Sequence, residues 1–99
     1  MAEKKVTVVA LMTAKKGMEE KVKQELISLI GPTRSERGCL NYDLHQAADE
    51  RSRFMFFENW TSKKDLDLHL EMPYLKTFMK KAEDLLAEPA KITLWERIA

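Results

Sequence analysis

Residues 39 to 60 read CLNYDLHQAADERSRFMFFENW. Two runs rich in aromatic and aliphatic side chains, Cys39 to Gln46 and Arg53 to Trp60, are joined by the short polar segment AADER, the pattern of a β-hairpin. In the second run Phe54, Phe56, Glu58 and Trp60 share one face and Met55, Phe57 and Asn59 the other, so neither face suits water. In the first run the same period of two puts Tyr42 on a face with Leu40 and Leu44. Gly38, just ahead of the hairpin, is expected to supply an unusual backbone angle.

Upstream of the hairpin, Val6 to Ala14 alternates Val6, Val8, Ala10 and Met12 with Thr7, Val9, Leu11 and Thr13, a strand with apolar residues on both faces. From Met18 the period changes: Val22, Leu26, Leu29 and Ile30 recur at helical spacing behind Glu19 and Glu20, and Gly31-Pro32 predicts the stop. Downstream, Ser62 with Asp65 fits a capping box and opens a short helix that puts Leu66, His69 and Leu70 together. Pro73 suits the first position of a further helix with an apolar stripe of Leu75, Phe78, Met79, Ala82, Leu85 and Leu86, ended by Pro89. Lys91 to Ile98 alternates as a last strand.

The order strand, helix, strand, strand, helices, strand is the split βαβ or ferredoxin-like plan, an α+β fold with a four-stranded antiparallel sheet and helices on one face. Its other face would be bare in a monomer, which predicts a homodimer through the helix-free sheet face.

Composition agrees with a single domain over residues 1–99, since a chain of 99 residues has room for one modest core and buries only ~65% of its unfolded surface. The 17 basic and 16 acidic side chains are interleaved, so no extended field exists to attract nucleic acid or an anionic membrane. No stretch approaches the ~20 apolar residues of a membrane span, and the N-terminal segment carries charges on both sides of a short apolar strand. The chain reads as cytoplasmic. Cys39 is the single cysteine and has no internal partner, and six methionines suit a reducing compartment. Gly17, Gly31 and Gly38 stand singly, so no glycine-rich loop for a flavin or nicotinamide phosphate is visible.

The longer stretch RGCLNYDLHQAADERSRFMFFENWTSKKDLDLHLEMPYLKTF, residues 37 to 78, resembles the antibiotic biosynthesis monooxygenase family. The specific parts are Gly38-Cys39 followed by Tyr42, the turn from Glu58 to Ser62, and His69 with Pro73-Tyr74 shortly after. The resemblance implies a dimeric α+β barrel in which each protomer oxygenates an electron-rich phenol or quinol in a cavity between sheet and helices. It also implies that no cofactor takes part, the substrate itself supplying electrons to dioxygen. Relatives in the same superfamily degrade haem, but these typically carry tryptophan near the place of His69 and histidine near that of Met79, a departure that argues against haem here.

Several residues then have two readings. His69 is either a general base for a substrate hydroxyl or a packing residue beside Leu66 and Leu70. Glu58, costly among aromatics unless paired, either orients His69 or a substrate hydroxyl, or pairs with Arg34, Arg37, Arg97 or a partner chain. Trp60 and Tyr74 offer flat surfaces with a polar edge, for a planar substrate or for packing. Tyr42, Phe56 and Phe78 are candidates for the cavity wall, with core packing as the default. Asp43 and His45 alone make a poor metal site, so no metal is expected. The leading reading is a cofactor-free quinol or polyphenol monooxygenase with His69 and Glu58 catalytic. The alternatives are a non-catalytic dimeric module for an aromatic or isoprenoid ligand, and an isomerase of a small phosphorylated sugar, for which Arg34, Arg37 and Arg53 are the available cations.

Overall fold

The computed structural model describes residues 4–99; residues 1–3, part of the N-terminal charge pattern, lie outside them. The elements run β1 (Val6–Thr13), α1 (Glu19–Arg34), β2 (Cys39–Gln46), β3 (Arg53–Trp60), α2 (Lys63–Leu70), α3 (Pro73–Leu85) and β4 (Lys91–Trp95). The four strands form one antiparallel sheet in the order β2-β3-β1-β4. This is the ferredoxin-like α+β fold, with the helices on one face.

Alternation along the strands decides which face the helices cover. Val6, Val8, Ala10 and Met12 of β1 are buried, as are Phe54, Phe56, Glu58 and Trp60 of β3, and the register sets Val8 opposite Glu58 and Ala10 opposite Phe56. Onto this face α1 lays Val22, Leu26, Leu29 and Thr33, and α3 lays Leu75, Phe78, Ala82 and Leu85. Ser62 caps α2 by accepting the Asp65 N–H at 3.2 Å, and Pro73 stands in the first turn of α3, where its missing N–H would have had no helical partner. On the reverse face Leu11, Phe57 and Trp95 remain more than a third exposed.

Four expectations from the sequence are corrected. Helix α1 does not stop at Gly31-Pro32 but reaches Arg34. Its last carbonyls find donors there: Gly31 O accepts the backbone N–H and the hydroxyl of Ser35, and Thr33 O accepts the Glu36 N–H. Strand β4 ends at Trp95 rather than Ile98. Thr7 is the last partner in the β1 register, which leaves Glu96 opposite the first residue of β1 and Arg97 and Ile98 beyond its end. Leu40 does not share a face with Tyr42, because the β2–β3 register slips between Cys39 and Asn41 and the bulge turns Leu40 to the reverse face beside Phe57 and Trp95.

Gly38 is the fourth correction, since among the described residues Gly17 alone has positive φ, at 90°. What Gly38 provides is room. A Cβ there would lie inside the Asp65 side chain, whose carboxylate accepts the hydroxyls of Thr61 and Ser62, while Gly38 O accepts the Thr61 N–H at 2.9 Å. Gly38→Ala is therefore expected to cost about 1–3 kcal/mol through this overpacking. Its urea midpoint should fall, and a midpoint equal to that of the parent chain would refute the argument.

Candidate functional site

Between the helix-bearing sheet face and α1, α2 and α3 lies a cavity of about 320 Å³. Val8, Ala10, Leu26, Leu29, Leu75 and Phe78 are among its apolar walls, and among the described residues the polar side chains in its lining are Tyr42, Glu58 and His69. The three residues come from β2, β3 and α2 and lie against one another. Tyr42 and Glu58 are register partners across β2 and β3, Tyr42 stacks on Phe56 with ring centroids 4.2 Å apart, and the Tyr42 ring meets the His69 imidazole edge-on at 5.5 Å. Leu70, Met79 and Ile92 also line the cavity and are each more than a third exposed.

The sequence candidates thus divide. Tyr42, Phe56, Glu58, Phe78 and His69 line the cavity together; Trp60 and Tyr74 are not in its lining. Trp60 lies behind His69, with ring centroids 4.7 Å apart and planes tilted by 32°. Tyr74 donates its hydroxyl to Glu36, a residue the sequence reading did not single out. The same Glu36 Oε2 lies 2.8 Å from His69 Nδ1, and both side chains are nearly enclosed, 8% and 3% exposed. Glu36 comes from the turn after α1, 33 residues from His69, and no period or motif marks it. The adjacent arginines and Gly38 are the only local signal.

Glu58 finds its partner within its own strand. The Trp60 Nε1–H donates to Glu58 Oε1 at 2.9 Å, so the bond goes to the indole rather than to Arg34, Arg37 or Arg97. Arg34 is turned instead to the Tyr42 carbonyl and the Asp43 carboxylate, each at 3.3 Å, and none of Arg34, Arg37 and Arg53 lines the cavity. Burial pushes the Glu58 carboxyl up from an ordinary 4.5 to about 7, with the Trp60 hydrogen bond opposing and the Glu36 charge adding to the rise. Cys39 is also driven up, to about 11, first by burial and then by Glu36 and Glu58, so it is held as the thiol. Among the described residues no cluster of three histidines, cysteines or acids is placed to hold a metal, and no helix is long and apolar enough to cross a membrane.

The raised Glu58 carboxyl makes stability depend on pH. Unfolded, it would ionise near 4.5; folded, it keeps its proton up to about 7. Between those values unfolding releases a proton, so stability falls as pH rises through the window and levels off above it, by at most about 3 kcal/mol. Glu58→Gln retains an oxygen to accept the Trp60 N–H and should remove that part of the slope. Urea midpoints taken across the window for both proteins check this, and parallel curves would overturn it.

Comparison with known proteins places this geometry in a family. A family profile described as antibiotic biosynthesis monooxygenase matches residues 5–81. A crystal structure from Pseudomonas aeruginosa superposes with a TM-score of 0.93 at 33% identity, covering 100% of this chain and 99% of that one. An uncharacterized protein of Synechocystis is 41% identical over 78 residues, 75% of this chain and 53% of that protein, so the chain spans about half the length of that relative. A Mycobacterium tuberculosis protein, provisionally named a monooxygenase, is 30% identical over 89 residues, 90% of this chain and 87% of its own length. A ferredoxin-like sheet enclosing a largely apolar cavity, together with a profile match over most of the chain, assigns this protein to the antibiotic biosynthesis monooxygenase family.

Proposed function

We propose that the protein is a cofactor-independent monooxygenase of an electron-rich aromatic substrate, a quinol or related polyphenol. One observation carries the reading: among the described residues, a cavity with otherwise apolar walls has three polar side chains in its lining, Tyr42, Glu58 and His69, clustered against one another. A flat aromatic ring suits the apolar walls, and its hydroxyls would meet the polar cluster.

The chemistry follows from that placement. Transfer of a hydroxyl proton to the free ring nitrogen of His69 leaves an anion in surroundings poor in water, where it is a stronger electron donor than the neutral quinol. Dioxygen then adds to a ring carbon of the anion. The resulting peroxide loses one oxygen as water and leaves the other on the ring, so that quinol plus dioxygen gives hydroxyquinone plus water, with all four electrons drawn from the substrate. Glu58, protonated below about 7, is able to donate to the peroxide or to hold the second hydroxyl.

The reading includes a homodimer. Leu11, Leu40, Phe57 and Trp95 are exposed on the reverse face, where a second copy would cover them. The test is oxygen uptake with menadiol under conditions where autoxidation is slow, combined with a solution mass. Uptake above the uncatalysed rate, one hydroxyquinone per dioxygen and twice the chain mass are expected. Uptake no faster than autoxidation would overturn the enzymatic reading, and binding without turnover would replace it with a carrier of aromatic ligands.

A further inference from the structure

His69 is held on three sides. Trp60 lies along one face of the ring at 4.7 Å, the Tyr42 edge approaches at 5.5 Å, and Nδ1 points at Glu36 Oε2 at 2.8 Å. Glu36 does not line the cavity. It faces a separate groove on the outside of the protein, shared with Arg37, Gly38 and Lys64. A carboxylate at the edge of that groove, only 8% exposed and set against a nearly enclosed imidazole, has a definite chemical effect. An ionised carboxylate only accepts, so the ring nitrogen facing it carries a proton, and in the neutral ring it is then the other nitrogen that keeps the lone pair.

We propose that Glu36 is a positioning residue: it fixes His69 as the Nδ1–H tautomer, so that the Nε2 lone pair faces the cavity, and Tyr74 fixes Glu36. A free imidazole in water favours the other tautomer, with the proton on Nε2, which could not act as a base toward the cavity. Without the hydroxyl of Tyr74, the Glu36 side chain would be free to turn outward to Arg37 and Lys64 in the groove. Tyr74 is suited to hold it because burial and the bond to Glu36 both push its phenol far above the usual range, so it remains a donor at any working pH. The arrangement of acceptor, imidazole and reacting group follows the logic by which an acid orients a catalytic histidine. Its catalytic consequence rests on His69 being the base; the tautomer itself does not.

That separation sets the experiment. His69 and His45 are the only histidines, and His45 lies exposed on the reverse face, so nitrogen NMR of histidine-labelled protein at pH 8 reads the two rings individually. The wild-type chain should show a protonated Nδ1 and an unprotonated Nε2 for His69, the reverse of free histidine in the same buffer. Glu36→Ala should move His69 toward the Nε2–H tautomer of free histidine and lower kcat on menadiol about 10²-fold, with KM within about twofold because the residue does not touch the cavity. Tyr74→Phe, the milder change, should move both readouts in the same direction by less. A wild-type His69 with its proton on Nε2 overturns the proposal without any variant, and so does a Glu36→Ala spectrum unchanged from wild type. If the spectra behave as described but no form of the protein turns over a quinol, the positioning role stands and the monooxygenase reading falls.

Discussion

His69→Ala should lower kcat/KM for quinol oxygenation by about 10²- to 10⁴-fold, the range for loss of a placed proton acceptor. In free energy that is roughly 3–5 kcal/mol of lost transition-state stabilisation. The expectation has a structural reason. Among the described residues His69 is the one cavity-lining side chain with a ring nitrogen, and its Nδ1 is already engaged by Glu36, so in the proposed chemistry Nε2 receives the substrate proton. Tyr42 cannot take over, because burial first, and Glu58 next, drive its phenol well above the usual range, and a phenol that does not ionise is no base. Glu58 is a poor replacement below about 7, where it already holds a proton, so the residual rate of His69→Ala should rise with pH through that value. Imidazole added to the variant should restore part of the rate, since truncation leaves a ring-sized space against Trp60. Unchanged oxygen uptake in His69→Ala would remove the base from the proposed chemistry.

The hairpin from Cys39 to Trp60 was readable because its alternation persists through β3 without a break, and a period of two fixes which residues share a face. That was enough to bring Phe56 and Glu58 to the helix side, and helical spacing did the same for His69 and Phe78. What periodicity does not carry is depth. Trp60 shares the face of Glu58 but lies one pair further along, under α2, where it backs His69 instead of meeting the cavity. Tyr74 sits in the first turn of α3 and reaches toward the α1 end of the fold. Element ends were equally hidden. Gly31-Pro32 is a stop signal locally, yet α1 continues because Ser35 and Glu36 supply donors to its last carbonyls. The length of β4 depends on how much of β1 remains to pair with it, not on its own alternation. Glu36 was beyond reach for a different reason: a loop residue acquires its partners only when α1, α2 and α3 converge.

Trp60→Ala should be the most destabilising single change in the cavity region, costing about 3–5 kcal/mol. The side chain is fully buried, so its removal takes away the largest apolar surface under α2 and leaves a void that β3 and α2, tied by Ser62 and Gly38, have little freedom to close. It also strips Glu58 of the Trp60 hydrogen-bond donor. For a chain this size the melting temperature should drop by tens of degrees, at about 4–8 °C per kcal/mol. Trp60→Phe separates the two contributions. It keeps most of the volume and loses the indole N–H, so its cost should be about 1–3 kcal/mol, the range for a buried acceptor left unpaired. That cost should also depend on pH. Below about 7 the Glu58 carboxyl is neutral and tolerates the loss; above it the ionised form has lost the bond that partly offsets its burial. Urea denaturation of both variants on each side of pH 7 reads these terms directly. A Trp60→Phe cost independent of pH would show that the indole bond does not govern the carboxyl, and a Trp60→Ala cost below about 1 kcal/mol would mean that the β3–α2 junction repacks freely. In that second case the wall behind His69 would be too soft to hold an imidazole in one orientation, and the geometry proposed for the base would lose its support.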